Sequence, residues 1–255
     1  MFAEKVVLIT GAGSGIGAAT AVKFAKSGAK LSLTGRNGDN LRTVAIECEN
    51  LSSEKPLVTI GDILVEDSIE NILKLTINHF GRLDVLINNA GIAENGSIEN
   101  TSVAQFDRVF NTNVRAVYNM TMKAVPFLIQ TKGNIVNVSS LTGTRAFPGA
   151  LAYGMSKAAV NQLTRCVALE LASRQVRVNS VNPGVVRTEL QRRAGMSEQA
   201  YQKMIENCKF THALGRSASP EEVADAIHFL ASENSSFITG INLLVDGGRH
   251  AMCPY

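Results

Sequence analysis

Seven short apolar runs, "KVVLIT", "AKLSLTG", "PLVTIGD", "LDVLINNAG", "GNIVNVSS", "VRVNSVNPG" and "INLLVDGG", are spaced along the chain with helix-length segments between them. Each carries Val, Ile or Leu on neighbouring positions without clean alternation, the pattern of a strand buried on both faces of a parallel sheet. Parallel strands need crossover connections, so the rhythm predicts βαβ units. One helix start is well marked: in "SPEE", Ser219 is the N-cap, Pro220 takes the first helical position and Glu222 closes a capping box. No linker, repeat or low-complexity segment interrupts the 255 residues, and 45% hydrophobic content supplies a large core. The expected architecture is one α/β domain over residues 1–255, a doubly wound parallel sheet with helices on both faces. Its ligand should bind at the carboxyl ends of the strands.

Charge and cysteine usage narrow the function classes. A net charge of +3, with no run of Lys or Arg interleaved with aromatics, argues against a nucleic-acid groove. Cys48, Cys166, Cys208 and Cys253 lie far apart with no CxxC pair, which argues against a zinc site and a disulfide framework and for ordinary thiols in a reducing compartment. His79, His212, His228 and His250 are scattered and read as surface or interface residues, so no metal is assigned. The opening "MFAEKVVLIT" has too short an apolar run for a signal-peptide core or a membrane span. A cytoplasmic protein is the expectation.

The first strand runs into "TGAGSGIG", residues 10–17. Gly11, Gly15 and Gly17, with Ser14 and Ile16 between them, let the backbone turn tightly and let a pyrophosphate approach the amides of the following helix. A glycine cluster alone is equally a flexible strand-to-helix turn; its place after the first strand favours a phosphate cradle. At the end of the second strand, "LTGRN" offers Arg36 where a 2'-phosphate would lie, which favours NADP(H) over NAD(H). Asp39 serves a ribose only if its loop folds back. After the third strand Asp62, next to Ile63, either accepts a hydrogen bond from an adenine amino group or caps a turn.

"YGMSK", residues 153–157, sets a phenol and an ammonium on one helical face. Alone, such a pair reads as a lysine stem lying on a surface ring. Joined to "TGAGSGIG", "NNAG" at 88–91, Asn113 in "NTN", Ser140 in "NVSS" and "PGVVRT" at 183–188, it resembles the short-chain dehydrogenase/reductase family over essentially the whole chain. In that family the serine precedes the tyrosine by thirteen residues, which selects Ser140 over Ser139. The resemblance implies a Rossmann-like fold with Asn113, Ser140, Tyr153 and Lys157 as the catalytic set. It also implies a nucleotide cleft lined by Asn88, Asn89, Ala90 and Gly91, with Tyr153 and Lys157 reaching the cofactor. Pro183, Gly184 and Val186 would lie beside it and Thr188 on the nicotinamide carboxamide.

Tyr153 would give a proton to a ketone oxygen, or take one from an alcohol. Lys157, with the oxidised nicotinamide adding to its charge, should pull the phenol's pKa down, a cation within reach stabilising the phenolate by roughly 1.4 to 4 kcal/mol. Ser140 would hold the substrate oxygen, and Asn113 a water chain linking Lys157 to solvent. The segment 190–216 is expected as a substrate flap, with Tyr201, Met204, Ile205 and Cys208 forming an amphipathic stripe. Met196, Met204 and Phe210 from the flap, with Leu141, Phe147 and Leu151 near Ser140 and Tyr153, predict a pocket for a hydrophobic secondary alcohol or ketone: a steroid, a retinoid or isoprenoid, or an acyl chain. The apolar tail Met252–Tyr255, with the family's habit of assembly, predicts a homo-oligomer, dimer or tetramer. Two other readings stand beside this one. A 3-oxoacyl-carrier-protein reductase would dock its acidic carrier on Lys132 and Arg174, and a non-catalytic nucleotide-binding regulator would more usually carry a broken catalytic set.

Overall fold

The structure, a computed structural model, describes residues 2–52 and 54–252. All seven apolar runs are strands: β1 (Val6–Thr10), β2 (Lys30–Gly35), β3 (Leu57–Ile60), β4 (Val85–Asn88), β5 (Asn134–Val138), β6 (Arg177–Pro183) and β7 (Asn242–Val245). They form one parallel sheet in the order β3-β2-β1-β4-β5-β6-β7. The helices between them are α1 (Gly15–Lys26), α2 (Gly38–Ser52), α3 (Glu66–Phe80), α4 (Val103–Phe110), α5 (Ala116–Thr131), α6 (Leu151–Leu171), α7 (Leu190–Arg193), α8 (Glu198–Thr211) and α9 (Pro220–Ala231).

Burial on both faces explains why the strands lack alternation. Val6 and Leu8 of β1 point into a core with Ile72, Leu86, Met120 and Leu128, under α3 and α5. Val7 and Ile9 point the other way, into a core with Phe24, Leu41 and Ile227 under α1, α2 and α9. Both halves of β1 are fully enclosed, so every position selects an apolar side chain. The start of α9 is as read: the Glu222 carboxylate accepts from the Ser219 amide at 2.8 Å and is held in turn by Arg216.

The strand order reverses between β1 and β4, which opens a crevice at their carboxyl ends. Two histidines differ from the surface reading. His212 is buried and His228 packs between Phe2 and Phe24 while meeting Ser27 at 2.8 Å, so aromatic packing takes up the latter ring. His250 pairs with Asp246 at 3.0 Å. Among the described residues no three His, Cys, Asp or Glu side chains converge as metal ligands, and no helix is long and apolar enough to cross a membrane. Cys253, Pro254 and Tyr255 of the tail lie outside the described residues.

Candidate active site

The crevice is a cavity of about 1090 Å³, the size range of a large ligand pocket. Its first wall is the glycine turn. Gly11 and Gly15 have φ of +65° and +54°, the left-handed region open to glycine, and a Cβ on Gly11 would stand 2.9 Å from the Ala90 Cα. Ser14 is the N-cap of α1 but its side chain caps no amide, and the first turn holds no acidic residue. The positive end of α1, with Gly15 and Ile16 at the cavity, is therefore available to an anion. Those features fit a dinucleotide's pyrophosphate.

Gly17 corrects the sequence reading. It is buried beneath the turn and does not line the cavity; a Cβ there would land on the Gly11 carbonyl oxygen. Asn88 also departs from the expectation, because its side chain points into the sheet and donates to Thr121 Oγ1 at 3.0 Å and Asn137 Oδ1 at 2.9 Å. Asn89, Ala90 and Gly91 do line the cavity. Asn89 Nδ2 ties the two walls by donating to the carbonyls of Thr10 at 2.9 Å and Gly11 at 3.1 Å.

At the outer end Arg36, Asp62 and Ile63 line the cavity. Asp39 does not: its carboxylate is exposed and paired with Arg42 at 2.6 Å. Asp62 faces the cavity, and its Oδ1 accepts from the Leu64 amide at 3.0 Å, the turn-capping contact.

The opposite wall brings Ser140, Tyr153 and Lys157 together. Ser140 follows β5 and N-caps a 3-10 turn, Leu141–Gly143, accepting from the Thr142 amide at 3.2 Å, and it lines the cavity with Tyr153. Gly143 lets this turn lie on α6, since a Cβ would come within 2.8 Å of the Lys157 carbonyl. One turn along α6 from Tyr153, Lys157 Nζ sits 5.7 Å from the phenol ring centroid and donates to the Val138 carbonyl at 2.9 Å. The electrostatics correct the sequence expectation. Burial pushes the Tyr153 phenol up, opposed by the Ser140 hydrogen bond, and burial lowers the Lys157 ammonium to about 8. Desolvation leads in both groups.

Asn113 stands behind this wall, in a π-helical turn, Asn111–Arg115, of the kind that often marks functional sites. Its side chain is saturated: Oδ1 accepts from the Ile92 amide at 2.9 Å, and Nδ2 donates to the Ile92 carbonyl at 2.9 Å and Ser156 Oγ at 3.0 Å. Gly91 lies between Asn113 and Lys157, where a Cβ would be 3.1 Å from Asn113 Oδ1 and 3.5 Å from Lys157 Nζ.

Pro183, Gly184, Val186 and Thr188 line the cavity from the loop after β6, and Leu141, Phe147 and Met204 line it from the 3-10 turn, the loop before α6 and α8. Leu151, Met196 and Phe210 do not, contrary to expectation. Met196 sits in the turn between α7 and α8, its amide bonded to the Gln191 carbonyl at 3.1 Å. Phe210 is 68% exposed, lying two residues beyond the inward-facing Cys208 and so on the far side of α8. Three cations at the cavity were missed: Arg193, Lys203 and Arg249. Arg193 Nη1 reaches across to Ser14 Oγ at 3.3 Å. The pair "RR" at 192–193 carried a signal, since Arg192 is spent on Glu189 and Glu198 and leaves the second guanidinium for the cavity.

Comparison with known proteins agrees with this geometry. A family model described as enoyl-(acyl carrier protein) reductase matches residues 11–250. The chain is 40% identical over 245 residues to the 3-oxoacyl-[acyl-carrier-protein] reductase FabG of Thermotoga maritima, covering 96% of this chain and 97% of that one. It is 38% identical over 250 residues to the meso-2,3-butanediol dehydrogenase of Serratia marcescens, covering 98% and 96%. Among solved structures, a short-chain dehydrogenase/reductase of unknown function from Caenorhabditis elegans, crystallised with cofactor, superposes with a TM-score of 0.93 at 36% identity, covering 99% and 97%. With its doubly wound parallel sheet and its matches across nearly the full length, the chain is an oxidoreductase of the short-chain dehydrogenase/reductase family.

Proposed function

We propose that the chain interconverts a secondary alcohol with an apolar body and the corresponding ketone, using NADP(H) in preference to NAD(H). The observation that carries this reading is the meeting of Ser140, Tyr153 and Lys157 on one wall of a cavity whose other end holds a glycine-lined turn and Arg36. A bound nicotinamide nucleotide supplies or accepts the hydride. The chain does the rest. Gly11, Gly15 and the first turn of α1 hold the pyrophosphate, and Thr188 the carboxamide. Ser140 donates to the substrate oxygen, and Tyr153 delivers the proton to that oxygen in reduction or removes it in oxidation. Lys157 restores the phenol's proton, and Asn113 fixes the loop at Gly91 and Ile92 that keeps Lys157 in place. Leu141, Phe147 and Met204 exclude water from the reacting carbon.

Arg36 supports the cofactor preference, because Asp39, its carboxylate rival, is turned away and paired with Arg42. Parallel titrations with NADPH and NADH, followed by nicotinamide fluorescence, test it. Arg36→Ala should weaken NADPH about tenfold, the order expected for one charge-assisted contact at an exposed site, and leave NADH little changed. Equal binding of both nucleotides, unaffected by the substitution, would return Arg36 to the role of a solvated loop residue.

The carrier-bound reading draws support from the FabG likeness. Lys132 and Arg174, its proposed docking cations, precede β5 and β6 and so lie at the amino edge of the sheet, away from this chain's own cavity. Turnover of carrier thioesters far above free ketones would establish that reading instead. Assembly draws support from exposed apolar side chains on two adjoining helices, Tyr118 and Met122 on α5 and Met155 and Leu169 on α6. Sedimentation across a dilution series should give species heavier than the 27.3 kDa chain, and a monomer throughout would remove the inference.

A further inference from the structure

The substrate end of the cavity contains an arginine whose side chain has no hydrogen-bond or ion-pair partner among the described residues. Arg249, in the 3-10 turn Arg249–Ala251 that follows β7, lines the cavity and is half-buried. Its guanidinium carbon lies 4.6 Å above the centroid of the Phe147 ring. Phe147 comes from the loop that joins the Ser140 turn to the Tyr153 helix, so the stack stands beside the catalytic wall and away from Arg36. Stacking occupies one face of the guanidinium and leaves its edge donors free.

Other partly buried arginines in the chain are satisfied. Arg177 donates to the carbonyls of Leu230, Ser232 and Ile238 and to Ser235 Oγ. Arg145 Nη1 donates to the carbonyls of Arg249 at 3.0 Å, His250 at 2.8 Å and Met252 at 3.2 Å. By contrast, no acceptor among the described residues takes a hydrogen bond from the Arg249 side chain, and no carboxylate among them stands within ion-pair distance of it. The acid three residues before it, Asp246, is spent on the His250 amide at 2.7 Å and the His250 ring at 3.0 Å. Glu189, the acid of the neighbouring flap at the cavity, is paired with Arg192 at 2.8 Å.

A half-buried guanidinium with open donors costs free energy unless something pairs with it. This one is held for a ligand: Arg145 pins its backbone from behind and Phe147 fixes its plane. The planar fork suits a carboxylate, which it binds through two parallel N–H···O contacts. The apolar lining of Leu141, Phe147 and Met204 suits the chain between that carboxylate and the reacting carbon. Resting on the alcohol–ketone reading above, the geometry points to an oxo acid or hydroxy acid as the substrate, an apolar body whose carboxylate is bound by Arg249 while the carbonyl or hydroxyl meets Ser140 and Tyr153.

The test is a matched series, 4-oxopentanoate, 5-oxohexanoate and 6-oxoheptanoate, each beside its methyl ester, assayed with NADPH and NADH on the wild type, Arg249→Gln and Arg249→Lys. At least one acid should exceed its ester in kcat/KM by about tenfold or more, chiefly through KM. That ratio should fall to near one in Arg249→Gln and be partly kept in Arg249→Lys. Esters turned over as well as acids, or an acid preference that survives Arg249→Gln, overturns the inference and leaves the alcohol–ketone reading standing. Dissociation of an oligomer by Arg249→Gln with the acid-to-ester ratio unchanged also overturns it, by assigning the guanidinium to a contact between copies. Should no ketone be reduced, calorimetric titration of the same acids and esters into the protein with NADPH decides. Acids bound more tightly than esters, with the difference lost in Arg249→Gln, support Arg249 as the carboxylate site, and no such difference refutes it. Absence of nucleotide binding in that titration counts against the alcohol–ketone reading separately.

Discussion

Tyr153→Phe should lower turnover by roughly 10²- to 10⁴-fold, the range for loss of a positioned general acid or base, with nucleotide affinity kept within about threefold. The phenyl ring preserves the cavity wall and its contact with Lys157, so the variant removes one oxygen and little else. Among the described residues no other phenol is placed to act: Tyr201 is buried under Arg192 and Tyr118 is exposed on α5. Retained turnover would sink the mechanism. The wild-type pH profile carries the same argument. In the proposed mechanism the proton that replaces the one Tyr153 delivers comes from Lys157, which burial lowers to about 8, so the supply holds below that pH and is lost above it. Reduction should therefore show a kcat/KM that is level below about pH 8 and falls above it, whereas oxidation, which needs the phenolate, should rise with pH. The stability sign follows from the same shift. Folding disfavours the charged ammonium, so the penalty is full below about pH 8 and is relieved as pH rises toward the ordinary lysine value of 10.5.

The fold was legible because the strands are buried twice. Val6, Val7, Leu8 and Ile9 must all be apolar when alternate residues feed opposite cores, and this leaves an unbroken run in the sequence. The wall of Ser140, Tyr153 and Lys157 was legible only through the family resemblance, since the Tyr153–Lys157 spacing alone reads as a surface pair; helical spacing fixed their shared face, and the resemblance selected Ser140 at the strand end.

What sequence could not supply is the environment of each group. A phenol and an ammonium one turn apart suggest mutual stabilisation; enclosure by α6 and the loop after β5 reverses the direction for the phenol. Helical spacing gave the buried stripe of α8 through Tyr201 and Cys208 but not the partner it faces, and Phe210, off that stripe, was misplaced in the pocket. Asn113 was located, yet its engagement with Ile92 and Ser156 depends on a π turn that no periodicity announces. Arg249 is separated from Phe147 by about a hundred residues of chain, and only the packed tail brings them together. Arg193 meets Ser14 across a still longer gap, 179 positions of sequence.

Gly17→Ala should be the most damaging single-methyl change at the nucleotide end. In an ordinary helix Ala is better than Gly by about 1 kcal/mol. Here that gain is outweighed, because the new Cβ meets the Gly11 carbonyl oxygen and stands 2.5 Å from Asn89 Nδ2. Neither neighbour can yield cheaply. The Gly11 carbonyl is fixed backbone, and Asn89 Nδ2 is already committed to Thr10 and Gly11, the bonds that tie β1's turn to β4's. Overpacking costs about 1 to 3 kcal/mol and each neutral hydrogen bond lost costs about 1. The net expectation is roughly 2 kcal/mol of destabilisation, a melting temperature lower by about 4 to 8 °C for a chain of this size. Nucleotide affinity should fall by about tenfold or more, since Gly11, Asn89 and Ala90 all border the cavity. Gly13→Ala separates the two effects. Its Cβ would stand 3.2 Å from the Asn40 Cβ, a tight contact that asks α2 to give by a few tenths of an ångström, against the clash with fixed backbone at Gly17, so stability should fall by clearly less than in Gly17→Ala while the methyl obstructs the phosphate approach. Thermal melts and nucleotide titrations on both variants decide the matter. A Gly17→Ala protein that melts and binds like the wild type would show that α1 can move off the turn, and that the close packing there is not what shapes the cradle.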